Sequence, residues 1–330
     1  MQQSTPKHSI SVVIPVYNSQ EILPELTQRL NEVLPQITDN FEVILVNDGS
    51  RDQSWEEILR LKEKYDWIKG ICLMRNYGQH NAILCGIRAA KNDVIVTMDD
   101  DLQHPPDEIP KLLSKLDEGF DVAYGAPEKE NHGFLRDVAS QLTKIVLQNG
   151  MGAEVARRVS AFRAFSTYLR EGFADYSGTF ISIDVLLTWS TTRFTWIFTR
   201  HEPRTIGKSN YTLFKLITHA INMITGFSTL PLQIASVVGF VLTVFRFGIL
   251  VYLIGRYIWE GGSVVPGFPF LAAAIAIFSG AQLFSLGIIG EYIARIHSQT
   301  MNRPSYHILK STAQLSENHE KTPAAIKGKV

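Results

Sequence analysis

Two apolar stretches constrain this chain more than any other feature. Residues 234–254 form a 21-residue run with one charge, Arg246, and residues 268–289 a 22-residue run with none. As helices, each is long enough to cross a hydrocarbon core of about 30 Å. Between them, residues 255–267 contain Gly261, Gly262 and Pro266 and read as a short loop, so two spans make a hairpin with both ends on one side. Lys208 and Lys215 precede the hairpin, Arg295, Arg303 and Lys310 follow it, and the loop offers Arg256; the positive-inside rule therefore places both ends in the cytosol. Two buried helices of a soluble core are the alternative, which the length of the runs disfavours.

The chain divides accordingly. Residues 1–205 are expected to form a cytosolic α/β domain, 206–228 interfacial amphipathic helices, and 229–295 a transmembrane hairpin with spans at about 232–256 and 267–291. Residues 296–330 are expected to be a cytosolic tail, polar and disordered towards its end. Leu213, Leu216, Ile217, Ala220, Ile221 and Ile224 share one side of a helical pattern, which suits a membrane surface or ordinary packing. Arg246 costs at least about 2.5 kcal/mol inside a span and needs a neighbouring subunit, Glu291 or a lipid phosphate as partner. Ala272, Ala276 and Gly280 form a small-residue stripe suited to close helix packing and an oligomer.

Charge and cysteines exclude other classes. With 32 basic and 32 acidic side chains the net charge is zero, so nothing global suggests nucleic acid. Cys72 and Cys85 make neither a disulfide framework nor a metal knuckle, which fits a reducing cytosol. Residues 1–8 are polar and lack the apolar core of a signal peptide.

Before the apolar runs, β-branched segments alternate with amphipathic ones. Strands are expected over 10–16, 41–46, 68–74 and 94–98, with helices after residue 18 (Asn18 or Ser19 as N-cap), over 52–64 and over 79–90. This alternation predicts a parallel sheet covered by helices on both faces, with its ligand at the carboxyl ends of the strands. Asn18, Asp48, Arg75 and Asp99 each fall just past a strand end and should converge.

Asp99-Asp100-Asp101 closes the fourth strand. Three adjacent anions call for a divalent cation, and Mg²⁺ or Mn²⁺ takes one or two carboxylates together with phosphate oxygens and water. In extended chain Asp99 and Asp101 point one way and Asp100 the other. Such a metal would bridge two phosphates of a nucleotide donor; a solvated acidic turn is the bland alternative. Asp48 suits a base or ribose, or an Asx-turn. Gly78 suits close backbone approach, and Arg75 a phosphate or an acidic loop.

Four motifs occur in order: Ser11-Val12-Val13-Ile14-Pro15-Val16-Tyr17-Asn18, Val46-Asn47-Asp48-Gly49-Ser50, Arg75-Asn76-Tyr77-Gly78-Gln79-His80 and Asp99-Asp100-Asp101-Leu102-Gln103-His104-Pro105-Pro106. Together they resemble the family 2 glycosyltransferases, and more narrowly the polyprenyl-phosphate (dolichyl-phosphate-mannose-synthase-like) branch, over residues 9 to about 305. The resemblance implies a GT-A fold and metal-dependent inverting transfer from a nucleotide-sugar, a UDP-sugar, to undecaprenyl phosphate. It also implies a homo-oligomer, a tetramer, in the bacterial inner membrane.

By position, Asp99, Asp101 and Gln103 would form the metal shell. Pro15, Tyr17, Asn18, Asp48, Arg75 and Asp100 would hold the donor, and Arg136, Ser140, Arg204 and Lys208 the acceptor phosphate, with Arg136 also serving catalysis. Phe162-Arg163 resembles a segment near the acceptor site, but the acidic residue that many relatives carry just before it is replaced by Arg157, Arg158 and Ala161, the nearest acid being Glu154. A hydroxyl acceptor needs a general base; a phosphate monoester, with a second pKa of about 6, does not. The missing carboxylate favours the lipid phosphate. A polysaccharide-elongating enzyme would carry a Gln-x-x-Arg-Trp segment, which is absent, and a non-catalytic scaffold would transfer nothing.

Overall fold

The structure is a computed structural model that describes residues 8–127, 147–148, 150–178, 181–203, 225–259, 267–301 and 303–313. It divides into two units, Met1–Leu216 with Arg303–Val330, and Ile217–Asn302.

In the first unit, four strands, β1 (Ile10–Val16), β2 (Phe41–Asn47), β3 (Ile68–Leu73) and β4 (Val94–Thr97), alternate with helices α1 (Leu23–Ile37), α2 (Ser54–Lys64) and α3 (Gln79–Ala89). After α4 (Ile109–Asp117) come β5 (Val122–Pro127), the short α5 (Ala153–Arg157), β6 (Arg163–Ser166), α6 (Ile183–Ser190) and β7 (Phe194–Thr199). A last strand, β8 (Ile308–Ser311), completes the sheet in the order β7-β5-β6-β4-β1-β2-β3-β8. β3, β2, β1 and β4 are mutually parallel and β7 is parallel to β5, while β6 runs antiparallel to β4 and β5. This is a GT-A-like α/β fold with a mostly parallel sheet, as expected.

Every residue of β1 is buried, as a strand covered on both faces requires. Ile10, Val12, Ile14 and Val16 share a cluster with Leu23, Leu26, Leu30 and Leu34 of α1 and Trp55 and Ile58 of α2. Leu23, Leu26, Leu30 and Leu34 recur at helical spacing, so one face of α1 is the buried one.

Two local expectations are corrected. The first helix begins at Leu23 with no side-chain cap, not at an N-cap on Asn18 or Ser19. Asn18 has φ 55°, and its Oδ1 accepts from Arg51 N–H at 2.8 Å, so the capping oxygen serves the next loop instead. β8 lies in what reads as tail: it pairs antiparallel with β3, Met74 N–H donates to His307 O (2.9 Å) and Gly70 N–H to Thr312 Oγ1 (3.1 Å).

At the other edge one carboxylate ties three strands together. Asp121, just before β5, accepts from Arg193 (Nε 3.0 Å, Nη2 2.5 Å), Thr191 Oγ1 (2.5 Å) and Tyr168 OH (2.7 Å). The Arg193 guanidinium holds its pKa down to about 2. A depressed carboxylate stabilises the fold above its unfolded pKa, and that contribution is lost as pH falls from about 4 through about 2. Asp121→Asn should therefore lower the melting temperature at pH 7 and cease to matter near pH 2, as thermal melts followed by circular dichroism would read.

The second unit contains two long helices, α7 (Leu230–Trp259) and α8 (Phe268–Thr300). Among the described residues one window, Leu230–Ile249, is long and apolar enough to cross a membrane, with mean hydropathy 1.8. Tyr292 OH donates to Ser228 O (2.6 Å), and Arg246 lies 5.2 Å from the Phe278 ring. Glu291 pairs with Arg295 at 2.8 Å. Residues 204–224, which include the expected surface helix, lie outside the described residues.

Candidate active site at the carboxyl edge of the sheet

Because β1 to β4 are parallel, the segments that follow them meet at one edge. Hydrogen bonds stitch these segments to one another. After β1, Asn18 N–H donates to Ser50 Oγ (3.0 Å) in the loop after β2. There Asp48, buried, accepts from Tyr77 N–H (2.7 Å) and Gly78 N–H (2.8 Å), which follow β3. Gln79 Nε2 then donates to Asp99 Oδ1 (2.6 Å) beyond β4. Asp100 closes the ring back to β1, its Oδ2 accepting from Ser19 Oγ (2.5 Å) and Tyr17 N–H (3.4 Å). The four segments expected to converge do so.

Asp48 makes no Asx-turn; the side chain that bonds within its own loop is that of Asn47, whose Oδ1 accepts from Ser50 N–H, three residues on, at 3.2 Å. Instead Asp48 clamps the loop after β3, and burial pushes its pKa up against the two N–H groups. The close backbone approach expected at Gly78 occurs at Gly49, where a Cβ would stand 2.5 Å from Arg75 C and Asn76 N. At Gly78 the space is open and the requirement is φ 95°. Arg75 is exposed and lies 4.8 Å from the Tyr77 ring, with Tyr17 also exposed and Pro15 buried in β1.

The Asp99–Asp101 segment leaves β4 into a turn, and its three carboxylates take three different partners. Asp99 meets Gln79, Asp100 turns to the β1 loop, and Asp101 Oδ1 accepts from Gln103 N–H (3.1 Å). Burial pushes the Asp100 pKa up to about 6. Among the described residues no group of three or more His, Cys, Asp or Glu could hold a metal alone. Two oxygen donors on one turn suit a hard cation that keeps phosphate and water ligands, so the donor set fits Mg²⁺ or Mn²⁺.

Next to this turn, His104 stacks on Phe162 (5.2 Å) and meets His201 edge-on (5.0 Å). Burial holds its pKa down to about 4, so it is neutral at pH 7. Glu154 is exposed on α5. Arg163, in the segment that resembles one near the acceptor site, is buried: it is 2 % exposed, and its Nη1 donates to Asp184 Oδ1. Gln79 and Asp184 carry no expected role from sequence, and Ser19 only that of a helix cap, since each acts on a side chain distant along the chain. Arg136, Ser140, Arg204 and Lys208 lie outside the described residues.

Among solved structures, glucosyl-3-phosphoglycerate synthase from Mycobacterium tuberculosis, in complex with Mn²⁺, UDP and glucosyl-3-phosphoglycerate, is similar with a TM-score of 0.50. At 17% identity, covering 66% of this chain and 78% of that one, it shows the fold alone. Undecaprenyl-phosphate 4-deoxy-4-formamido-L-arabinose transferase of Yersinia enterocolitica is 35% identical over 327 residues, 97% of this chain and 99% of the relative. Its namesake in Serratia proteamaculans is 35% identical over 325 residues, 97% and 98% respectively. A family model, glycosyl transferase family 2, matches residues 11–185, from β1 through the first turn of α6. On these matches, and with the sheet edge built as above, the chain belongs to glycosyl transferase family 2.

Proposed function

We propose that the chain transfers one sugar, with inversion, from a UDP-sugar to undecaprenyl phosphate, giving a polyprenyl-monophosphate sugar for surface glycan modification. The observation that carries this reading is the full-length likeness: relatives named for undecaprenyl phosphate match over 97% of the chain, both long helices included. In it, Asp99, Asp101 and Gln103 hold Mg²⁺ or Mn²⁺, which when bound stabilises the departing diphosphate as a Lewis acid. Asp48 keeps the loop after β3 in place beside the donor, with Pro15, Tyr17, Asn18, Arg75 and Asp100 lining it. Arg136, Ser140, Arg204 and Lys208 receive the acceptor phosphate. A phosphate oxygen forms the bond to the anomeric carbon while the bond to the diphosphate breaks, its electron pair leaving with UDP.

No protein base enters this step, because the acceptor is largely dianionic above about pH 6. Glu154→Gln should retain wild-type turnover of undecaprenyl phosphate; abolished turnover with donor and acceptor binding intact would defeat the base-free mechanism. α7 and α8 form a transmembrane hairpin in the bacterial inner membrane, the catalytic unit faces the cytosol, and copies assemble as a homo-oligomer. The direct test is to incubate membranes holding the protein with a panel of nucleotide-sugars and undecaprenyl phosphate, then analyse the lipid by mass. A new mass of one sugar on the lipid monophosphate supports the reading, and hydrolysis or no product with every donor overturns it.

A further inference from the structure

Beneath the Asp99 turn lies a charged side chain that the transfer reaction does not use. Arg163, on β6, stands across the sheet from Thr97 of β4 and Tyr124 of β5. Its Nε donates to Thr97 Oγ1 (3.0 Å), and its Nη1 to Asp184 Oδ1 in the first turn of α6. Tyr124 OH donates to the same Asp184 oxygen (3.0 Å), and Thr97 Oγ1 donates to Ala161 O (2.8 Å). Arg163 is 2 % exposed, Asp184 7 %, and Thr97 and Tyr124 0 %. Desolvating such a pair costs free energy that apolar side chains of the same volume would not incur, so stability is a weak reason for its presence.

Its connections suggest another reason. Thr97 is the last residue of β4, two before Asp99. On the other side, Ile183, the neighbour of Asp184, donates its N–H to His80 Nδ1 (3.5 Å). Beside His80, Gln79 donates to Asp99. Two lines of contact thus leave the first turn of α6: one, through Arg163, reaches Thr97, two residues before Asp99, and the other, through His80 and its neighbour Gln79, reaches Asp99 itself. We infer that the Arg163–Asp184 pair is a positioning device for the Asp99 carboxylate, locking the end of β4 against α3 so that the metal-binding oxygens are set before a metal arrives. The inference rests on Asp99 being a metal ligand. Outer partners of this kind commonly govern metal affinity nearly as strongly as the ligands do.

The test is Mn²⁺ binding to the full chain in nanodiscs with UDP present, followed by the electron paramagnetic resonance signal of free Mn²⁺. Thr97→Val keeps the shape of the side chain, the ion pair and the β4–β6 pairing but removes the hydroxyl, and with it the side-chain bonds to Arg163 and Ala161. It should weaken Mn²⁺ binding by about tenfold, with the KM for undecaprenyl phosphate unchanged. Tyr124→Phe removes a bond to the same Asp184 oxygen that does not lead to Asp99; it should lower the melting temperature and leave Mn²⁺ binding intact. Unchanged binding in Thr97→Val, or equal weakening in both variants, overturns the inference. Unchanged binding in Asp99→Asn overturns the metal reading and the inference together.

Discussion

Asp99→Asn and Asp101→Asn should each reduce sugar transfer by about three orders of magnitude while leaving the fold intact. A Lewis acid at a departing diphosphate supplies several kcal/mol of barrier reduction, and each 1.4 kcal/mol is about a factor of ten. Asparagine keeps the shape of the side chain and can still meet Gln79 or the Gln103 N–H, so the turn should hold. What is lost is the anionic oxygen that a hard cation requires. Initial rates of transfer from labelled donor, taken across a range of Mn²⁺ concentrations, decide the matter. A variant within tenfold of wild type at saturating Mn²⁺ would remove Asp99 or Asp101 from the metal shell.

The second large effect concerns folding. Asp184→Leu leaves the Arg163 guanidinium buried with its carboxylate partner gone, and breaking such a pair typically costs about 3–5 kcal/mol. For a unit of this size that is a fall of roughly 10 °C in melting temperature. Arg163→Met combined with Asp184→Leu replaces both charges by apolar groups and should recover most of the loss. If the double variant melts as low as the single one, an uncompensated charge is not the cause. The double variant also separates two roles, since it restores stability without restoring the link from α6 to Thr97.

The parallel sheet and the convergence at its edge were legible because both depend on local pattern. Buried strands such as β1 read as continuous apolar runs, and a polar residue directly after each run must lie at the carboxyl edge. What was illegible depends on partners far apart in sequence. The burial of Arg163 was illegible because its counter-charge, Asp184, follows 21 positions later on another element. The capping role expected of Asn18 failed for the same reason: an N–H at Arg51 took its oxygen. Gly78 was read as a place of close backbone approach, whereas its requirement is φ 95° in open space, since crowding and positive φ look alike in a sequence. β8 had no signal, four mostly exposed residues after a long helix being indistinguishable from tail.

That last strand also bears on how the molecule is made. β3 leaves the ribosome early, and the strand that covers its open edge is encoded after both long helices. During synthesis the β3 edge therefore stays exposed until residues 308–311 emerge. The catalytic sheet cannot be finished on a chain stalled before the end of α8. With α7 and α8 as a transmembrane hairpin, completion of the sheet would follow membrane insertion, and a truncated chain would leave an unpaired strand open to quality control rather than a finished transferase without its anchor.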